Sequence, residues 1–166
     1  MPSRIFIADD NPEILKQLVQ LFESKQCDVL SAINGKEALD LLNINNAPHL
    51  LIIDADMPAV DGLEVCKKVR AETRLKNIPI IILKENWVEE TPFQRLGIEE
   101  FQLKPLDIPK LYETSAILLK YGSRSRIPGK KRGINKEMIA LVIIILAVLV
   151  LSVILLGTDN LKFWIQ

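Results

Sequence analysis

The chain has 166 residues, 49% of them hydrophobic, with 21 Lys/Arg against 21 Asp/Glu and a formal net charge of +0. The balance is uneven: residues 1–119 hold 13 basic and 19 acidic residues, a net of 13 − 19 = −6, while 120–136 hold seven basic residues and no acid. The two cysteines, Cys27 and Cys66, lack metal-ligand spacing and stand in unrelated contexts, which excludes a disulfide framework and reads as reduced, buried thiols.

In chain order, Arg4-Ile5-Phe6-Ile7-Ala8 reads as a first strand ending at Asp9-Asp10. This run is too short, and too soon followed by acids, for a signal peptide. Asn11-Pro12 suits a helix cap and a first-turn proline. The helix after it spaces Ile14, Leu15, Leu18, Val19, Leu21 and Phe22 on one face. Asp28–Ala32 reads as a second strand, Asn34-Gly35 as a turn, and Glu37–Leu42 as a short helix with Ala38, Leu41 and Leu42 inward. His49 follows Pro48 and reads as a loop residue.

Leu50-Leu51-Ile52-Ile53 is an apolar run suited to a strand covered on both faces, and it stops at Asp54. Ligands of open α/β sheets gather beyond the carboxyl ends of the strands, so Asp54 is where chemistry is expected. Met57-Pro58 and Asp61-Gly62 break the chain before a third helix, Leu63–Ala71, with Val65, Cys66 and Val69 as buried candidates. Ile78–Leu83 reads as a fourth strand with its proline near the start. Thr91-Pro92 suggests a cap and a short helix starting near Pro92. Glu100–Leu103 reads as a fifth strand, and Ile108–Tyr121 as the last helix of this part. The alternation predicts a parallel sheet with helices on both faces and right-handed crossovers.

Beyond it, residues 122–137 read as a flexible basic linker from their Gly, Ser and Pro content. Met138 to Leu156 is nineteen residues without charge. At 1.5 Å per residue a helix there reaches about 28 Å, close to a bilayer's hydrocarbon thickness. A transmembrane helix over 138–157 is therefore expected, with a short extracytoplasmic tail over 158–166. Arg124, Arg126, Lys130, Lys131, Arg132 and Lys136 precede the span and only Lys162 follows it, which keeps the N-terminal domain in the cytoplasm of a single-pass cell (inner) membrane protein. The linker then faces anionic membrane lipid. No nucleic-acid-binding motif is present, so no nucleic acid is expected as a partner.

Asp54-x-x-Met57-Pro58-x-x-Asp61-Gly62, with Asp9-Asp10, Lys104-Pro105 and Gly97, resembles the receiver domains of two-component response regulators over about residues 1–121. The resemblance implies a flavodoxin-like α/β fold, a doubly wound five-stranded parallel sheet of order 2-1-3-4-5. In that arrangement the ends of the first, third and fifth strands are neighbours, so Asp9, Asp10, Asp54 and Lys104 should converge. Crowded carboxylates repel unless a cation joins them, and oxygen ligands suit Mg²⁺. By resemblance, Asp10 and Asp54 ligate Mg²⁺, the Asp56 backbone carbonyl adds a third ligand, and Asp9 acts through water. Asp54 is the phospho-acceptor, Lys104 contacts the phosphoryl group, and Phe101 stands at the aromatic switch position. The implied partners are a sensor histidine kinase or phosphotransfer protein and an unknown output protein. The chemistry is self-phosphorylation and its reversal, not that of an enzyme with its own substrate.

Two positions depart from the family pattern. Lys84 stands where a switch Ser or Thr is usual, and Glu85 where a small residue leaves room for the phosphodonor. Lys84 has no hydroxyl and is placed to pair with Asp54, or else to point to solvent. The alternative function is thus a pseudo-receiver, an interaction module that is not phosphorylated.

Overall fold

In a computed structural model of the chain, the described residues are 2–44, 47–98, 100–122 and 144–145. Five strands, β1 (Arg4–Ala8), β2 (Asp28–Ala32), β3 (Leu50–Asp54), β4 (Ile80–Lys84) and β5 (Glu100–Leu103), alternate with five helices. The helices are α1 (Pro12–Glu23), α2 (Gly35–Ile44), α3 (Gly62–Ala71), α4 (Thr91–Gln94) and α5 (Ile108–Tyr121). The strands form one sheet in the order β2-β1-β3-β4-β5, with every pairing parallel.

Alternation along the strands divides the core in two. Ile5, Ile7, Leu50, Ile52, Ile81 and Leu83 face α1 and α5, packing with Leu18, Phe22, Leu111 and Leu118. Phe6, Ala8, Leu51, Ile53, Ile80 and Ile82 face the other helices, packing with Ala38, Leu42, Val65, Cys66, Val69 and Phe93. Every residue of β3 and β4 is buried, as continuous apolar runs require of strands covered on both sides.

The caps account for most boundaries. Asn11 Oδ1 accepts from the amides of Glu13 and Ile14 at the start of α1. Asn34 Oδ1 accepts from Glu37 N at 2.9 Å while the Glu37 carboxylate accepts from Ile33 N at 2.9 Å, so α2 begins earlier than the Glu37 expected and runs on to Ile44. Asp61 caps α3 through Glu64 N at 2.7 Å. Asp107 caps α5 through Lys110 N at 3.1 Å.

Further sequence expectations need correction. β4 starts at Ile80, not Ile78, because Pro79 has no N–H and contributes only its carbonyl, to Leu51 N at 3.0 Å. Thr91 is not a cap but the first residue of α4, a four-residue helix entered from Glu90, with no side-chain cap hydrogen bond. Cys27 is only half-buried, at the strand-ward end of the α1–β2 turn, whereas Cys66 is fully buried; both are free thiols. Lys84, discussed below, neither pairs with Asp54 nor points to solvent.

Among the described residues, no helix is long and apolar enough to cross a membrane. The expected span over 138–157, the linker and the tail lie outside the described residues except for Ile144 and Ile145, which are helical and exposed.

Candidate functional site

Three strand ends build one pocket. β1 ends at Ala8, and its register with β3 (Ala8 opposite Ile53) places Asp9 beside Asp54. β5 reaches the same edge through β4, and Lys104 N donates to the Lys84 carbonyl at 2.9 Å. The Lys104–Pro105 peptide is cis. Asp9 is 0% exposed and Asp54 3%, whereas Asp10 faces solvent.

The four charged residues expected to meet do meet. Oxygens of Asp9, Asp10 and Asp54 lie within 4.8 Å of one another. Lys104 Nζ sits 2.7 Å from Asp54 Oδ2 and 3.0 Å from Asp9 Oδ2. The other oxygens of Asp9 and Asp54 accept from backbone amides. Asn11 N donates to Asp9 Oδ1 at 2.9 Å, and Asp56 N donates to Asp54 Oδ1 at 3.4 Å. Asp9 Oδ2 has no hydrogen bond of good geometry, so among the described residues it is the buried oxygen left for another cation. An all-oxygen donor set with an under-satisfied buried carboxylate fits a hard divalent ion such as Mg²⁺.

The electrostatics describe a site short of positive charge. Burial pushes the Asp54 carboxyl up to about 6, against the opposing contact with Lys104 and with the help of the neighbouring Asp9 charge. Burial also raises Asp9, outweighing the Asn11 amide and Lys104. At Lys104 burial opposes the charged form, but Asp54 and Asp9 together outweigh it and hold the ammonium above its ordinary range. One buried cation thus serves two buried acids.

The loop after β3 is shaped for this edge. Gly62 N donates to the Ala55 carbonyl at 3.0 Å, and a Cβ on Gly62 would run into the Asp54 carbonyl oxygen. Only glycine lets α3 start so close to the acceptor strand. Ala59, in the same loop, takes φ 68°, a left-handed conformation that costs an L-residue about 1 kcal/mol. The Asp56 side chain is exposed.

Lys84 is the surprise. Its side chain is 7% exposed, and its ammonium lies against the loop that follows β4. Nζ donates to the Val88 carbonyl at 2.9 Å and the Glu85 carbonyl at 3.4 Å, and pairs with Glu90 Oε1 at 3.6 Å. A buried ammonium seeks oxygens, and the turn supplies them. Glu85 is partly exposed. Phe101 is half-buried and packs edge-on against Phe93 of α4, with ring centroids 6.2 Å apart and planes at 78°. His49 is a structural residue: its Nδ1 accepts from Arg4 N, and its own amide donates to Arg4 O, both at 2.8 Å.

Known proteins match this arrangement. The response regulator receiver domain family covers residues 5–116. The polar-differentiation response regulator DivK of Brucella anthropi is 32% identical over 116 residues, 69% of this chain and 94% of that protein. The receiver domain of the Francisella response regulator 1452 superposes with a TM-score of 0.64 at 32% identity, over 73% of this chain and 99% of that one. A response regulator receiver protein from Pseudomonas putida gives a TM-score of 0.65 at 27% identity, over 70% of this chain and 97% of that one. Fold, pocket and sequence match coincide on the same stretch: this chain belongs to the response regulator receiver domain family.

Proposed function

We propose that this protein is a membrane-anchored receiver that accepts a phosphoryl group on Asp54 and signals by changing its protein contacts. Receiver domains of two-component systems interact with histidine kinases or phosphotransfer proteins, and such a protein is the proposed donor here. Asp10 and Asp54 would hold Mg²⁺, with Asp9 and the Asp56 carbonyl completing its surroundings. The bound ion offsets the negative charge of an incoming phosphoryl group. The Asp54 carboxylate attacks phosphorus, the bond from phosphorus to the donor's imidazole nitrogen breaks, and its electron pair leaves with the donor. Lys104 stays beside Asp54 as a point charge for the phosphoryl oxygens. The residues position groups and balance charge, as phosphoryl transfer asks of a protein. No separate substrate is turned over, so the protein is not an enzyme beyond this self-modification.

The observation that carries this reading is the Lys104 ammonium, 2.7 Å from Asp54 and 3.0 Å from Asp9, in a pocket of three carboxylates within 4.8 Å. To test it, the full chain in detergent is incubated with Mg²⁺ and acetyl phosphate and its mass is followed. Addition of one phosphoryl group that disappears in Asp54→Asn supports the reading, and an unmodified chain refutes it.

The anchor is proposed from the uncharged stretch Met138–Leu156 and the basic residues before it. It puts residues 1–121 on the cytoplasmic face of the cell (inner) membrane and the basic linker against anionic lipid. Alkaline carbonate extraction decides this: full-length protein released to the soluble fraction removes the anchor.

One observation favours a second reading. The Lys84 ammonium is engaged by its own loop, at the position where the family's hydroxyl residue meets the phosphoryl group. A pseudo-receiver, recognised by its partner without phosphate, follows if acetyl phosphate leaves the chain unmodified while the partner still binds.

A further inference from the structure

We propose that Lys84 clamps the β4–α4 loop onto the sheet, so that the loop keeps one position whether or not Asp54 carries a phosphoryl group. The first half of this inference stands on the contacts alone; the second rests on the phosphorylation reading above.

Lys84 ends β4, one residue beyond Leu83, the cross-strand partner of Asp54. Its side chain is 7% exposed. Lysines so buried are uncommon and need oxygens for their three N–H donors. The three partners are the Glu85 and Val88 carbonyls and the Glu90 carboxylate. They span the whole connection from the end of β4 to the residue that enters α4. The ammonium therefore ties the loop to the strand at its beginning, middle and end. Two of its donors bond the loop carbonyls, and its charge is paired with Glu90, on the loop side of the strand end.

The same residue is tied to the pocket through its backbone, since its carbonyl accepts the Lys104 amide at 2.9 Å. Lys84 thus lies between the acid pocket and a loop that carries Trp87, 72% exposed. Moving the loop means uncoupling a buried ammonium from the oxygens that surround it, which leaves that charge in need of new partners. Glu90 is 41% exposed along its side chain, so its ion pair is the weakest of the three ties, and the Val88 carbonyl at 2.9 Å the strongest.

The test uses the full chain in detergent with Trp164→Phe, which leaves Trp87 as the one tryptophan of the two in the sequence. Hydrogen exchange is followed at Val88 N, which bonds Glu85 O at 3.2 Å, together with Trp87 fluorescence anisotropy. Lys84→Met should speed Val88 exchange roughly tenfold and lower the anisotropy. Glu90→Gln, which keeps the lysine, should give a smaller change in the same direction. Should Lys84→Met fail to fold by circular dichroism, Glu90→Gln and Lys84→Arg carry the comparison. Mg²⁺ with beryllofluoride should leave Trp87 emission unchanged in the Lys84 protein, with fluorine NMR verifying that the mimic is bound. Unaltered loop exchange in the variants overturns the clamp. So does a Trp87 shift when the mimic binds. If beryllofluoride does not bind at all, it is the phosphorylation reading that falls, and the exchange comparison alone decides the clamp.

Discussion

Lys104 Nζ lies 2.7 Å from Asp54 Oδ2, and the two side chains are only 12% and 5% exposed. Removing one partner of such a pair leaves a charge stranded in the interior. Lys104→Met should destabilise the Mg²⁺-free protein by about 3 kcal/mol at neutral pH. Mg²⁺ should recover part of the loss, because a second cation then faces the same acids. Urea unfolding with and without Mg²⁺ checks both statements.

The pH dependence of the pocket follows from Asp54. Its folded-state carboxyl is raised to about 6 from an ordinary 3.8. A raised group favours the fold below the ordinary value, and that contribution is lost as pH climbs through the folded value. Without Mg²⁺, the wild-type protein should therefore lose stability relative to Asp54→Asn between about pH 4 and pH 6. Above pH 6 the difference should be level. Mg²⁺ affinity should run the other way and fall below pH 6, since the ligand must be ionised. Thermal melts of both proteins across this range, and Mg²⁺ titrations by calorimetry, supply the measurements.

Gly62 holds the start of α3 against the end of β3. In Gly62→Ala the new methyl meets the Asp54 carbonyl oxygen, which is backbone and not free to step aside. A cost of about 2 kcal/mol is expected, within the usual range for overpacking. Because the displaced atom belongs to the proposed acceptor residue, acetyl phosphate labelling should slow by more than the stability loss alone explains. Melting temperature and labelling rate, taken on the same preparation, separate the two effects.

Cys66 is buried against Val65 and Val69 in the core that faces α3, and burial pushes its thiol up to about 12. It should resist a thiol reagent in the native protein, while Cys27 at the half-exposed turn reacts. Unfolding releases a thiol of ordinary pKa near 9, so Cys66 costs the fold stability as pH rises from about 9 to 12. Cys66→Ala should flatten that part of the alkaline profile.

The strand sequence, the helix faces and the convergence of Asp9, Asp10, Asp54 and Lys104 were all legible from residue patterns and family motifs. Apolar runs and 3.6-residue spacing report burial directly, and a parallel alternating pattern leaves few topologies open. Val65, Cys66 and Val69 were read as buried and are. Lys84 was not legible, because a lysine at a strand end looks solvated until the carbonyls of the following turn are placed around it. A short α4 starting near Pro92 is as expected, but the cap is Glu90 and not Thr91, for a related reason. Thr91-Pro92 has the composition of a cap, but here the helix is so short that tertiary packing through Phe93 decides its boundaries. Gly62 was noticed as a turn residue, whereas its close approach to the Asp54 carbonyl is a property of two segments brought together.

The acid pocket draws its groups from the first, third and fifth strand ends, and its cation comes last in the chain. A nascent polypeptide still lacking residues 100–104 has its acids but no lysine between them. Under the proposed function, phosphate acceptance would be restricted to chains whose translation and sheet assembly have passed that point. The proposed modification would then report a finished domain as well as an upstream signal.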